Sequence, residues 1–506
     1  MWIFSKSKKA AVTITYIQII TQTIITLFLT RFYIRELGTD SYGLYQMIYS
    51  VAQYILILDL GISITMVRFI SEFEAKGEKK KTENFAFHFM LIVLILLIVV
   101  TIIGVIININ IERIYTKLTV DEYNLAHEMF IVMIVQIAFT IVSHFLQGIA
   151  LAYEHYPFVK FVMLIQIIAG AVLSVVFVLK GMGAKGIVHA NTIVIIISTL
   201  ILLLYDFAGL RFKIAFHGWD IKLLLPAFLL MFAMLLQSIV GYANNSVDKT
   251  LLGIMATKTD VTIYSIAATF ITLFNALPTA ISTVFQPKAT QMVVASASKE
   301  ELTDLVIKPG RVQFIVVAGF IGGFFLFGRD FIICWTGEKT VDAWLYVLLI
   351  LIPNMIPLIQ NTCLSILNAM DKRIYRSLIL VGITVFNILL SIALIKLIGP
   401  VGAPLATGVS YIVGHCILMN IYYQRKIGLN VKRMFKEIFS GTWLALLGTI
   451  IVNLPLLLWQ VNGNWFVVII KAFVFCIVYT IFLWFFGINK AEKDYIKLLF
   501  ARILKK

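Results

Sequence analysis

Charge is what this 506-residue chain has least of: Asp, Glu, Lys and Arg make up 13% of it, about half the share that a soluble domain carries. With 60% of its residues hydrophobic, it has too little polar surface to face water on all sides, which excludes a soluble globular fold. Cysteine is scarce as well, and Cys334, Cys363, Cys416 and Cys476 show no ligand spacing. That excludes a zinc site and a disulfide framework and leaves the four as small core residues. No cofactor is expected. No G-x-x-x-x-G-K-S/T run is present to cradle nucleotide phosphates, so any energy comes from an ion gradient or from another protein. H-E-x-x-H and G-x-S-x-G are missing too, which removes the zinc-hydrolase and serine-hydrolase classes. The loops are short, roughly 20 residues at most. A membrane-bound glycosyltransferase needs an acidic pair in or beside a larger loop, and none stands out, so the chain reads as a non-enzyme.

What the chain has instead is a succession of about fourteen apolar segments, each long enough at ~1.5 Å per residue to cross the ~30 Å hydrocarbon core of a bilayer. They fall near residues 11–35, 42–70, 84–108, 128–152, 157–180, 186–206, 222–247, 260–286, 309–333, 343–369, 375–397, 401–423, 438–458 and 465–487. Helices satisfy their own backbone in lipid, so the fold class is all-α, a polytopic membrane protein. The net charge of +16 would suit nucleic acid, but Lys and Arg crowd alternate connections. The densest clusters are Lys76 with Lys79, Lys80 and Lys81, then Arg425 to Lys436, then the tail from Lys490 to Lys506. This is the positive-inside pattern, which puts both termini in the cytoplasm and makes the basic runs topology signals, with no nucleic-acid partner. The basic start, Lys6-Ser7-Lys8-Lys9, precedes an apolar stretch too long for a signal peptide and lacking its cleavage pattern, so it is expected to remain as the first helix.

Set against itself at a shift of about 215 to 219 residues, the chain repeats. Leu37-Gly38 matches Leu252-Gly253, Leu44-Tyr45 falls opposite Ile263-Tyr264, Ala152-Tyr153-Glu154 opposite Ala369-Met370-Asp371, and Gly183-Ala184 opposite Gly402-Ala403. A shift of six helices keeps both copies in the same orientation, related by an axis along the membrane normal. The expected organisation is two six-helix lobes, 1–206 and 222–424, then two appended helices over 438–487 and a basic cytoplasmic tail over 488–506. Lobes so related rock about a central cavity.

Polar stripes mark the helix faces expected to look inward, since an unpaired polar group in hydrocarbon costs several kcal/mol. Gln136, Thr140, Ser143, His144 and Gln147 form one in the fourth span. Gln237, Gly241, Asn244, Asn245 and Asp248 form another in the seventh, Thr272, Asn275, Thr279, Ser282 and Gln286 in the eighth, and Asn354, Pro357, Asn361, Ser365 and Asn368 in the tenth. Span one adds Thr15, Gln18, Gln22 and Thr26. Helix-to-helix hydrogen bonding is the plainer reading of such stripes, and a wet cavity the sharper one. Intramembrane charge narrows the site further. Arg31 and Arg35 share a face near the outer end of span one, and Asp248 and Lys249 fall near them by the repeat. Asp59 lies deep in span two, suited to pairing with an arginine, binding an ion or simple packing. Arg68 ends that span as a cavity cation or a snorkelling anchor, His144 is a proton relay or a structural histidine, and Lys471 is expected to snorkel outward. Prolines at Pro278, Pro287, Pro353 and Pro357 are expected to bend the second lobe's helices.

Several of these residues fall in stretches that resemble a known family. Arg31-Phe32-Tyr33-Ile34-Arg35-Glu36-Leu37-Gly38, Tyr42-Gly43-Leu44-Tyr45, Asp59-Leu60-Gly61-Ile62 and Arg68-Phe69-Ile70-Ser71 resemble the opening of the Wzx-type polysaccharide or O-antigen flippases. Asn245-Ser246-Val247-Asp248-Lys249-Thr250-Leu251-Leu252-Gly253, Ile263-Tyr264-Ser265 and Phe285-Gln286-Pro287 look like that family's second-lobe counterpart. The resemblance implies the multidrug/oligosaccharidyl-lipid/polysaccharide exporter (MOP) superfamily, whose relatives include MurJ-type lipid II flippases and MATE transporters. It further implies alternating access in a bacterial plasma membrane and a cargo of undecaprenyl-pyrophosphate-linked oligosaccharide, with membrane lipids, a polymerase and other assembly proteins as partners. Arg31, Arg35, Arg68 and Lys249 are then the expected pyrophosphate ligands, because a guanidinium offers permanent charge and bidentate contacts to phosphate oxygens. Asp59, His144, Asn245, Asp248, Asn387 and Ser391 are the ion-coupling or polar-cavity candidates. Some MurJ-type relatives hold sodium between helix seven and helices eleven and twelve, which points to Asn245 or Asp248 with Asn387 and Ser391; coupling to sodium or to protons both stay open. The absence of a basic residue in span eight before Lys288 argues against lipid II as cargo. Two other readings remain: a gradient-driven exporter of small cations or drugs using Asp59 or Asp248, and a non-transporting scaffold or transferase of an envelope polysaccharide pathway.

Overall fold

A computed structural model describes residues 8–370, 373–459, 461, 463–489 and 492–494. Among them there is no strand, and ten helical stretches are long and apolar enough to cross a membrane. The two longest, Val12–Ala75 and Tyr156–Gly209, each cover two of the expected spans. The expected basic tail lies largely outside the described residues. The chain divides into two compact units, residues 1–265 and 266–506.

The first unit opens with α1 (Lys8–Ile55), two helices run together across Gly38, whose φ of 78° and ψ of 168° suit only a residue without a Cβ. The bend falls between the first two expected spans. The second span is not one helix. After Ile55 the backbone tightens into a 3-10 turn, Leu56–Asp59, Leu60 and Gly61 take left-handed φ values of 52° and 65°, and α2 (Ile62–Ala75) starts afresh. Gly61 is needed twice over: for its φ, and because a Cβ there would sit 2.8 Å from the Met234 Cβ.

Next come α3 (Lys79–Ile109), the single turn α4 (Ile111–Ile114), α5 (Val120–Ala152), α6 (Tyr156–Phe177), α7 (Gly183–Leu204) and α8 (Ile221–Met255), followed by the start of α9 (Lys258–Val294). A reciprocal capping box of Thr119 and Glu122 starts α5, and Asp220 caps α8. α5 packs against α1, α2, α3 and α7. α3 instead exposes Ile98, Ile102, Ile106 and Ile109 along one face, an apolar stripe that suits lipid. Gly181, just after α6, has φ 82°, and Gly399, at the place the expected repeat sets opposite it, has φ 77°. At the other match the registers differ, since α1 bends at Gly38 while its counterpart runs past Gly253 and ends at Ala256.

The second unit holds the rest of α9, then α10 (Lys299–Thr336), α11 (Ala343–Ile359), α12 (Asn361–Ala369), α13 (Arg373–Ile398), α14 (Gly402–Tyr411), a π-helical stretch at Ile412–Leu418, α15 (Met419–Tyr422), α16 (Val431–Phe439), α17 (Thr442–Asn453) and α18 (Trp465–Phe482). The expected tenth span is broken at Gln360, between α11 and α12. Side-chain amides fill in where the helices are irregular. Gln313 Nε2 donates to the Pro278 carbonyl at 2.7 Å and to Ser282 Oγ at 2.5 Å. Gln360 donates to Asn420 Oδ1 at 2.7 Å, and Asn420 Nδ2 donates to the His415 and Cys416 carbonyls of the π-helical stretch. Asn354 donates to Asn275 Oδ1 at 2.8 Å. These members of the stripes in spans eight and ten therefore join helix to helix, as buried amides do when lipid offers no partner.

Two buried cations tie down the appended helices. Arg311 of α10, 7% exposed, donates to Glu492 at 2.5 Å and to the Glu437, Ser440 and Gly487 carbonyls at 2.7, 3.0 and 2.6 Å. One guanidinium thus holds the end of α16 and the segment after α18. Lys471 does not snorkel outward. It is 1% exposed, pairs with Asp330 at 2.7 Å and donates to the Trp459 carbonyl at 2.6 Å, because a carboxylate within reach on α10 offers a better partner than the distant headgroups.

Arg311→Ala should cost about 3–5 kcal/mol, the usual penalty for removing one side of a buried ionic network. Thermal denaturation in detergent should show the loss, with hydrogen exchange rising first in α16 and α18. Gly61→Ala should cost about 1–3 kcal/mol through left-handed strain and contact with Met234, read as a lower denaturation temperature.

Candidate functional site

The charged residue pair of α8 faces two ways. Asp248, 4% exposed, accepts from the Tyr264 hydroxyl of α9 at 2.6 Å. Lys249, partly buried, turns to α1 and donates to Gln46 Oε1 at 3.1 Å; Gln46 Nε2 in turn donates to the Tyr42 hydroxyl at 2.8 Å. One turn further along α1, the Ser50 and Tyr54 hydroxyls meet Thr250 Oγ1 at 2.9 and 3.1 Å. The result is a polar seam between α1 and α8, flanked by the tyrosine stack of Tyr33, Tyr42, Tyr45 and Tyr49. Among the described residues no carboxylate pairs with Lys249 within 4.0 Å. An ammonium has three donors, and the Gln46 amide answers one of them without neutralising the charge. Such a group is suited to a negatively charged ligand.

A second polar centre lies on the order of 20 Å further along the α1 helix, thirteen residues past Gln46. Asp59 Oδ1 stands 2.9 Å from His144 Nδ1 of α5. Both side chains are partly buried, at 21% and 35% exposure. Asp59 is the last residue before the Leu60–Gly61 break. Pairing with an arginine was one of the roles left open for Asp59; the side chain it meets is a histidine. The other members of the α5 stripe bond among themselves: Gln147 donates to Ser143 Oγ at 3.0 Å and Thr140 to the Gln136 carbonyl at 2.8 Å.

Arg31 and Arg35 lie on an exposed face of α1 that also carries Ile24 and Phe28, and Arg35 sits 3.6 Å from Glu36. Arg68 is exposed on α2, stacked over its neighbour Phe69 at 5.6 Å. It lies on α2, beyond the Leu60–Gly61 break, and α2 packs on α3, α5 and α8. The side chain of Asn245 lies outside the described residues. In the second unit, Asn387 donates to Thr407 Oγ1 at 3.2 Å, and Ser391 is fully buried. No cluster of three His, Cys, Asp or Glu side chains suited to a metal occurs among the described residues. The sequence reading missed Gln46 and marked Tyr42 and Tyr264 only within the repeat and the family resemblance, whereas Tyr42 proves to accept from Gln46 and Tyr264 to hold Asp248.

The same fold occurs in solved structures. The lipid II flippase MurJ in an inward closed conformation superposes with a TM-score of 0.72 over 97% of this chain and 99% of its own, at 16% identity. An inward-facing multidrug resistance MATE family transporter of the MOP superfamily gives 0.62 over 83% and 96%, at 14% identity. No protein of curated function matches the sequence. Residues 7–293 match the polysaccharide biosynthesis protein family, more than half of the chain. The protein therefore belongs to the polysaccharide biosynthesis protein family and is a multi-pass membrane protein that shares an all-helical fold with those flippase and transporter structures.

Proposed function

We propose that the protein is a flippase that carries undecaprenyl-pyrophosphate-linked oligosaccharide from the cytoplasmic to the outer leaflet of a bacterial plasma membrane, by alternating access and with both termini in the cytoplasm. The observation that carries this reading is Lys249, a partly buried cation on a polar helix seam whose described partner is a neutral amide. A pyrophosphate brings the opposite charge into the same low-dielectric setting, where an ion pair is far stronger than in water. The likeness to a lipid II flippase, which takes in 97% of this chain against 83% for the multidrug transporter, supports a lipid-linked cargo. The polysaccharide family supports an oligosaccharide on that lipid, and with it a polymerase and other assembly proteins as partners. Arg31 and Arg35, together on one exposed face, are proposed to assist by drawing the anion in. Asp248 and Asp59 speak for the rival reading, a cation exporter, but each already has a partner in Tyr264 or His144.

In a deletion strain the lipid-linked oligosaccharide should accumulate in the cytoplasmic leaflet, with surface polymer lost. Full-length protein should restore the polymer, Lys249→Ala should lower its output at least about tenfold, the scale of one charge-assisted contact, and Lys249→Arg should retain much of it. Full polymer output from Lys249→Ala at wild-type protein levels would contradict the role given to that residue. Normal polymer in the deletion strain with altered tolerance to cationic drugs would favour the exporter.

A further inference from the structure

We propose that the Asp59–His144 pair is a proton-binding site that fastens the break in the second membrane-spanning helix to α5, so that taking up and releasing one proton drives movement of α2. The inference rests on the transport reading for its purpose, but not for its test. The His144 Nδ1 to Asp59 Oδ1 bond of 2.9 Å makes Nδ1 the nitrogen that carries hydrogen, since a carboxylate only accepts. Nε2 is then left with the lone pair that takes the incoming proton. Imidazole is the side chain whose charge changes readily between about pH 5 and 8. It is also a poor partner for sodium, which prefers oxygen ligands, so the pair selects a proton.

The position of the pair converts that proton into movement. Asp59 immediately precedes two consecutive left-handed residues, Leu60 and Gly61, a place where the backbone already changes direction without a continuous helical ladder. Beyond the break, α2 packs on α5, where Gly148 leaves room for Met66. With the proton bound, imidazolium faces carboxylate, and separating opposite charges in a low-dielectric bundle is costly. Without it, a neutral imidazole holds the carboxylate by a weaker bond. Proton binding and the fastened state therefore favour each other, so the fastened state gains as pH falls and loses as pH rises.

Neighbouring charges leave the pair free to act. From α8, Tyr242 lies close enough to sense the Asp59 charge, and its phenol is neutral near neutral pH. From α5, the stripe residues beside His144 are Gln147 and Ser143, which do not titrate, and from α2 the nearest cation in sequence, Arg68, lies beyond the break and is exposed. Among the described residues neither member of the pair forms another ion pair.

The test is hydrogen exchange of the full-length protein in nanodiscs, without cargo, following the amides of Ile62–Met66 and corrected for the intrinsic pH dependence of exchange. One coupled proton changes an opening equilibrium by up to about tenfold per pH unit. Protection in wild type should therefore rise severalfold or more from pH 8 to pH 5.5. His144→Gln and Asp59→Asn, both able to keep a hydrogen bond and so the fold, should lose that dependence. His189→Gln, away from the pair, should keep it. A flat profile in wild type, or a pH dependence that survives in His144→Gln, would overturn the proposal. Failure of the lipid-cargo reading, by contrast, would leave these profiles unchanged.

Discussion

A bilayer offers no water to a buried polar group, and this constraint governs where the chain can break its helices and where it can keep charge. Several of the irregular places have an answering side chain nearby. Gln313 covers the Pro278 carbonyl, Asn420 covers the carbonyls of the Ile412–Leu418 stretch, and Arg311 takes three carbonyls and a carboxylate at the ends of α16 and α18. Lys471 survives inside hydrocarbon because Asp330 and the Trp459 carbonyl meet it. Against that background Lys249 stands out: its charge meets only an amide among the described residues. A protein that must bury an anionic headgroup on every cycle needs a cation not already spent on structure.

The first unit divides its polar chemistry by depth. Lys249, Gln46 and Tyr42 lie towards the Gly38 end of the long helix, while Asp59 and His144 lie on the order of 20 Å further along it. The two centres are joined by one element, the stretch from Tyr42 to Asp59, which is helical up to its final 3-10 turn. That element is the route by which a shift at the Leu60–Gly61 break would reach the Lys249 seam, linking the proposed proton site to the proposed cargo site.

Much of this was legible in the amino-acid sequence. Apolar length and the basic connections gave the membrane class, and Gly38 marked a real bend. Asp59, His144 and Lys249 stood out as charges that lipid would not tolerate. Their pairing was not legible, because Asp59 and His144 are 85 residues apart and meet only because two left-handed residues interrupt what reads as one apolar run. Leu60 gives no sign of a positive φ, and an isolated glycine in an apolar run is a weak one. The arginines look alike in sequence, but Arg31 and Arg35 share one exposed face of α1 while Arg68 lies on α2 beyond the Leu60–Gly61 break. Lys471 was misplaced because its partner, Asp330, comes from a helix 141 residues earlier in the chain.

The central claim is that this chain moves a lipid whose headgroup is an anion. Its most direct measurement uses purified protein in sealed vesicles carrying a fluorescent polyprenyl-pyrophosphate oligosaccharide, with a membrane-impermeant quencher reporting the leaflet. The account predicts faster transfer between leaflets than in protein-free vesicles, with most of the gain lost in Lys249→Ala. Transfer no faster than in protein-free vesicles, by protein that is folded and correctly inserted, would contradict it.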